Sequence, residues 1–251
     1  MKAQQIKGRE LMKGNHRWLY TLPLFVLALL TGCATVQPPV AMDQVFWTEK
    51  HESIGVMVAD LPAPTVVMIG QQGLLDYAVN SAVASGLRSK VETWDASGFN
   101  ELSAVVTEQL RSHGYKVKQI QETLDAAELM QPKSGKVGFS PVDLRSIKAK
   151  HNVDKLVLFI PTAFGTVRSY YSVVPTSDPI VQVGVNSYVV DLDDNRFLYY
   201  QGQVVNRAAE GEWDEGPEYP NLTNAFYQAL DSAQQSALTP FKTQQVSTNT
   251  P

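Results

Sequence analysis

The sequence contains a single cysteine, so the chain cannot form an internal disulfide. Histidine is also scarce, and the three histidines after residue 32, His51, His113 and His151, are far apart. A metal site needs several convergent His, Cys, Asp or Glu side chains, and no such spacing occurs. A Gly-x-Ser-x-Gly nucleophile motif and a Gly-Lys-Ser/Thr phosphate loop are absent as well. We therefore predict a protein that is not an enzyme and that holds no metal and no cofactor.

Long hydrophobic runs are scarce, and the one near the start is too short to span a membrane. Trp18–Leu30 is apolar and uncharged and follows a basic segment, residues 1–17. A helix of this length covers about 20 Å, whereas the hydrocarbon core of a bilayer is about 30 Å thick. A basic start followed by a short apolar core predicts a secretory signal peptide, residues 1–32, which is cleaved.

The apolar run ends in Leu30-Thr31-Gly32-Cys33, which includes the only cysteine. This motif resembles the bacterial lipobox, in which an aliphatic residue and two small residues precede a cysteine. The resemblance implies that Cys33 is lipidated, with acyl chains such as palmitate, and becomes the first residue of the mature chain. The alternative is an ordinary signal peptide with a cysteine nearby.

Ala34, rather than Asp, follows Cys33. By resemblance to the sorting rule of enteric bacteria, this favours the cell outer membrane. The interpretation is a lipoprotein of the cell envelope, lipid-anchored at the periplasmic face, which contacts the membrane through the N-terminal lipid on Cys33.

Positive charge is scarce in the chain that remains after cleavage. Five of the 21 basic residues and one of the 25 acidic residues precede Cys33, which leaves 16 basic and 24 acidic residues and a net charge of −8. Neutralising phosphates requires Lys and Arg, so nucleic acid is excluded as a partner. Anionic headgroups would repel such a domain, so we expect the lipid to supply the membrane attachment.

Composition divides the mature chain into three parts. Residues 33–45 contain Pro38-Pro39 and are predicted to form an extended, lipidated tether. Residues 46–241 carry the apolar patterns of one globular domain. Residues 242–251 are rich in Gln, Ser, Thr and Asn, which predicts a disordered tail.

The apolar periodicity of the globular part alternates between strand and helix. Strand patterns occupy residues 53–61, 65–69, 115–120, 155–160, 165–174, 180–192 and 197–206. Helix patterns lie between them, and the helix over 71–90 has one apolar face formed by Leu75, Val79, Ala82 and Val83. In the strand over 180–192 the apolar positions change parity near Asn186, which predicts a β-bulge or a twist there. The order predicts an α/β (mixed α+β) fold: a single mixed sheet flanked by helices, with a C-terminal antiparallel meander and a closing helix.

The first candidate partner-binding surface is the acidic stretch Glu210–Glu218, in which Trp213 stands among acids and turn residues. Tryptophan is a frequent hot spot in protein interfaces. We therefore predict a partner contact through Trp213, Asp214 and Glu215. The alternative is a solvated connector between the last strand and the last helix.

The second candidate surface consists of the adjacent pairs Tyr170-Tyr171 and Tyr199-Tyr200. Because side chains alternate along a strand, one ring of each pair should face the core and the other should face outward. Tyr171 and Tyr200 are the rings that we expect to contact a partner. The alternative is that these tyrosines only form cross-strand pairs.

Gly114-Tyr115 and Asn152-Val153-Asp154-Lys155 each join a predicted helix to a predicted strand. The pattern, over about residues 100–206, resembles periplasmic lipoproteins of the peptidoglycan-synthase-activator and curli-secretion type. That resemblance implies a mixed sheet flanked by helices and transfers no functional residue. It favours a protein-binding or scaffold module with a periplasmic protein partner. A subunit of an oligomeric secretion or appendage assembly and an envelope hydrolase with an unrecognised site remain alternatives, and the oligomeric state stays open.

Overall fold

The computed structural model describes residues 37–130 and 136–242. The predicted signal peptide 1–32, Cys33 and all of the predicted tail except Lys242 lie outside the described residues. Within those residues seven strands form one sheet: β1 (Ser53–Val58), β2 (Thr65–Gln71), β3 (Lys116–Gln119), β4 (Lys155–Tyr171), β5 (Val174–Pro175), β6 (Ile180–Asp191) and β7 (Phe197–Arg207).

The helices of this part of the chain alternate with the strands in the first half, and one closes the domain. They are α1 (Gln44–Thr48), α2 (Leu74–Val83), α3 (Ser85–Val91), α4 (Glu101–Ser112), α5 (Ala126–Leu129), α6 (Ser146–His151) and α7 (Pro220–Leu238), with 3-10 turns at Ser97–Asn100 and Thr239–Phe241. The predicted fold class is confirmed, including the antiparallel meander of β4, β6 and β7 and the closing helix α7.

β4 is the central strand and is 17 residues long. β1 and β2 lie parallel along one of its edges, one after the other, and β6 lies antiparallel along the other edge. β3 extends the sheet beyond β1, and β7 extends it beyond β6. We call the part that holds β1 and β3 the lower half of the sheet and the part that holds β2 the upper half.

Both faces of the lower half are buried. On β4, Val157 and Phe159 pack into the cluster formed with α4 and α7, whereas Leu156 and Leu158 pack into the cluster formed with α5 and α6. A strand buried on both faces has a continuous apolar sequence, and this explains the unbroken run over 155–160.

One extra residue in β4 separates the two halves. Pro161 pairs with Val185 and Ala163 pairs with Gly184, so Thr162 has no opposite residue in β6. The bulge predicted near Asn186 is wrong for β6, since the extra residue belongs to β4. The two strands predicted over 155–160 and 165–174 are one strand that continues through this bulge.

The segment 37–45, predicted as part of a tether, lies on the domain. Val40 exchanges two backbone hydrogen bonds with Tyr200, at 2.9 and 3.1 Å, and the Asp43 N–H donates to the Leu198 carbonyl at 2.8 Å. These bonds cover the lower part of the outer edge of β7, whose backbone groups otherwise have no neighbouring strand. The described part of this segment therefore belongs to the folded domain.

A buried ion pair fixes the beginning of β4. The Lys155 side chain is 2% exposed, and its ammonium pairs with the carboxylates of Glu49, at 2.8 Å, and Glu52. A buried charge is tolerated because it is paired, so the residues between α1 and β1 are tied to β4.

We expect Glu49→Gln combined with Glu52→Gln to lower the free energy of unfolding by about 3 kcal/mol, because Lys155 then stays buried without a counter-charge. The single substitution Lys155→Met removes the buried ammonium itself. It should change the free energy of unfolding by less than about 1 kcal/mol. Urea unfolding of the three proteins measures both values. Equal losses in the two variants would contradict the assigned burial of the charge.

Candidate partner-binding surface

Trp213 of the predicted acidic site packs against its own domain. The Arg168 guanidinium of β4 lies 4.7 Å from the centre of its ring, and the ring of Tyr219 is stacked on it at 6.2 Å. Trp213 is half-buried by these contacts. Its aromatic surface is therefore used largely within the molecule.

The rest of the acidic loop is also held by contacts within the chain. The Asn221 side-chain amide donates to the Glu212 carbonyl at 2.9 Å and to a Glu215 carboxylate oxygen at 2.8 Å. Glu218 pairs with Lys90 at 2.9 Å. Asp214 is exposed. The loop is thus a folded connector, and its predicted role in partner binding stays a prediction.

We expect Trp213→Ala to lower the free energy of unfolding by about 1–2 kcal/mol, because it removes one cation–π contact and one aromatic stack. Asp214→Ala, next to it on the exposed side of the loop, should change stability by less than about 0.5 kcal/mol. Thermal unfolding of both variants provides the comparison. A Trp213→Ala protein as stable as the wild type would show that the packing of the ring contributes little.

The two predicted partner tyrosines are in different surroundings. Tyr171 is 65% exposed at the end of β4. Tyr200 is half-buried and contacts Tyr188, with 5.3 Å between ring centres. Burial raises the pKa of Tyr188 to about 12 and also raises the pKa of Tyr200. Tyr200 pairs with Tyr188 of β6, and Tyr188 pairs with Leu158 of β4. At about 3.3 Å per residue along β4, the position of Leu158 is roughly 40 Å from Tyr171. The structure does not bring the two rings together.

The described residues contain no cluster of three or more His, Cys, Asp or Glu side chains that could hold a metal ion. His151 Nε2 lies 2.8 Å from a Glu122 carboxylate oxygen, and Glu122 borders a cleft of about 280 Å³. Hydrogen bonding to Lys150 and His151 lowers the pKa of Glu122. Two hydroxyl residues, Ser103 and Thr123, border this cleft. Ser103 donates to the Asn100 carbonyl at 3.0 Å and is not directed at His151, so Ser103 is not an activated nucleophile of the Ser–His type.

Among the described residues, α2 carries the most exposed leucines. Leu74 is 95% exposed and Leu75 is 78% exposed, and Val79 and Val83 on the same helix are exposed as well. Between Asp60 and Arg88 the sequence has a single charged residue, Asp76. The apolar face that the sequence predicted for this helix is present, but it points to solvent.

A polar residue holds α2 in this orientation. Asn80 is the buried residue of the helix, and its amide donates to the Gln72 side chain at 2.8 Å and to the Ser172 carbonyl at 2.9 Å. A surface helix ordinarily turns its apolar side to the core. α2 instead buries the Asn80 amide and exposes its leucines and valines.

The open face of the upper half of the sheet continues the same character. The exposed large apolar residues of this face come from β2, β4, β6 and β7, and they are Val67, Ile69, Tyr171, Ile180 and Val204. Val67 also borders a shallow cleft of about 130 Å³ at the lower end of this face, beside Thr162 and Ala163. We call α2 and this face together the upper surface. Grouped exposed apolar residues, unlike single ones, mark interaction sites, so the upper surface is the best candidate for binding another molecule.

Comparisons with known proteins identify no family. No protein-family model matches the chain, and no curated protein matches it. Among the described residues, no helix is long and apolar enough to span a bilayer.

Several solved structures are similar to the chain over most of their length. A PelC dodecamer from Paraburkholderia phytofirmans is 10% identical, with 84% of this chain and 96% of that chain covered and a TM-score of 0.28. Lipoprotein GNA1162 from Neisseria meningitidis is 15% identical, with 74% and 99% covered and a TM-score of 0.25. Hypothetical protein CT253 from Chlamydia trachomatis is 9% identical, with 76% and 98% covered and a TM-score of 0.34. At these values the likeness assigns no function to this chain.

Proposed function

We propose that this protein is a lipid-anchored periplasmic lipoprotein of the outer membrane that acts as a protein-binding or scaffold module in the cell envelope, without enzymatic activity. The observation that carries the proposal is the upper surface, an apolar helix and an open sheet face with almost no charge. A surface of this kind suits a protein partner, because protein interfaces have apolar cores depleted of charged residues.

The shape of the surface favours a protein over a small ligand. Sites for small molecules are usually concave, with volumes of about 300–1,000 Å³. The cleft on the open face holds about 130 Å³ and is bordered by short side chains such as Ala63 and Thr65. The exposed apolar residues of α2 project from the domain, and none of them borders the cleft on the open face. Contact with another macromolecule would remove them from water.

The anchoring part of the proposal depends on Cys33 and on the short distance from it to the domain. Only residues 34–36 separate Cys33 from Gln37, and the Gln37 side-chain carbonyl accepts a hydrogen bond from the Gly138 N–H at 2.7 Å. Four residue steps span at most about 14 Å. A lipid on Cys33 would therefore hold the domain close to the membrane rather than on a long tether.

We expect Val79→Asp to reduce the yield of the crosslinked partner by at least about tenfold, because it places an unpaired carboxylate in the contact. Val105→Asp on α4 is the matched control, since both valines are 43% exposed on helices. The measurement is crosslinking in intact cells followed by quantitative mass spectrometry of the purified chain. If both variants lose the partner equally, or neither does, the upper surface is not its binding site.

Cys33→Ser should abolish the incorporation of labelled palmitate, because the serine hydroxyl replaces the thiol that accepts the lipid. The same variant should move from the membrane fraction to the soluble periplasmic fraction after cell breakage. Labelling and fractionation of wild type and variant test this part separately from partner binding. A variant that still takes up the label would refute lipidation at Cys33.

A further inference from the structure

The edges of the sheet differ in how they are protected. In the lower half, β3 is a short edge strand with lysines at 116 and 118, and the outer edge of β7 is covered near Leu198 and Tyr200 by the segment 37–45. Short length, lysines and a covering segment are the devices by which proteins prevent pairing between sheet edges.

The edge strand β2 in the upper half has none of these devices. It has seven residues, TVVMIGQ, with neither charge nor proline. Among the described residues, its one strand partner is β4. Gly165 and Gly70 let the two backbones approach closely, because a Cβ at either position would collide with the backbone of the opposite strand. β2 is thus firmly attached along one edge and offers its other edge for pairing.

We propose that β2 pairs antiparallel with β2 of a second copy of this chain, around a two-fold axis at Met68. This register sets Val67 opposite Ile69 of the second copy, and the reverse, on the open face of the sheet. Aliphatic side chains directly opposite each other stabilise antiparallel pairs. The two sheets then continue into each other through β2.

The surroundings of β2 fit a second copy. In the antiparallel register, the residues before β2, Leu61–Pro64, come level with the beginning of α2 of the second copy, where Leu74 and Leu75 are exposed. Seven of the exposed large apolar residues belong to β2 and α2: Val67, Ile69, Leu74, Leu75, Tyr77, Val79 and Val83. With no charged residue in β2, the two identical strands meet without repulsion. Two-fold dimers are also the commonest soluble oligomers.

Val67→Lys tests the contact in the full-length chain in detergent. We expect the wild type to be a dimer and the variant to dimerise roughly thirtyfold more weakly. The reason is that the two-fold axis creates two Val–Ile pairs, and the substitution removes both. Val204→Lys on β7 is the control, since Val204 is 55% exposed on the same open face, and it should remain dimeric. Sedimentation velocity over a range of protein concentrations gives the dissociation constants.

Mixing variants tests the register. Val67→Lys mixed with Ile69→Glu should form a mixed dimer, because the new charges lie opposite each other at one pair and the other Val–Ile pair is intact. Val67→Lys mixed with Val67→Glu should not, since each charge then faces an isoleucine. Differently tagged copies and co-purification measure the mixed species.

The inference is overturned if the wild type is monomeric, if Val67→Lys dimerises as well as the wild type, or if Val204→Lys is the variant that dissociates. These outcomes are separate from failure of the proposed function. The test of the proposed function measures by mass spectrometry how much envelope protein is crosslinked to Val79→Asp. The test of the dimer measures self-association of this chain by sedimentation.

Discussion

The unpaired residue Thr162 in β4 is the constraint on which the arrangement of the domain depends. Below it, odd-numbered residues such as Val157 and Phe159 face α4 and α7, and above it the even-numbered Phe164 faces the same side. Since a shift of one residue transfers every side chain to the opposite face, the bulge keeps one continuous apolar core behind the whole strand. A single 17-residue strand can therefore serve both a half buried on two faces and a half buried on one.

The division of the sheet at Thr162 also explains why one face of its upper half is open. α5 and α6 cover the lower half, and the open face begins where their cluster ends, beyond Ile160. α2 is attached through Asn80 rather than through its leucines. The domain thus completes its core without the apolar side of α2 and without Val67 and Ile69. These residues are not needed to bury the sheet, which is why we connect them with binding rather than with folding.

The sequence was sufficient for the fold class and for the positions of β1, β6 and β7, because alternation and helical periodicity report burial directly. It divided β4, which is one strand, into two. It was misleading in β6, where Val183 and Val185 face one side and Tyr188 and Val190 face the other. The strand keeps one parity throughout, and the second set appears because only the lower half is buried on both faces. The same limitation hid the upper surface: periodicity identifies the apolar side of α2, whereas only tertiary contacts show that this side is open. Trp213 was selected for its residue type, and its packing against Arg168 could not be predicted from spacing alone.

The two ends of the domain suggest how anchoring and binding are combined. The chain enters beside the lower part of β7, where Val40 pairs with Tyr200, whereas Tyr171 at the far end of β4 lies roughly 40 Å away. With at most about 14 Å of chain between Cys33 and Gln37, a lipid on Cys33 would fix the lower half near the membrane and leave the upper surface at the opposite end of the sheet. The proposed pairing through β2 would lie in that upper half, away from the end at which the chain enters the domain. Two anchored copies could meet there only if their sheets lie nearly parallel to the membrane, because a two-fold axis at Met68 points their lower halves in opposite directions.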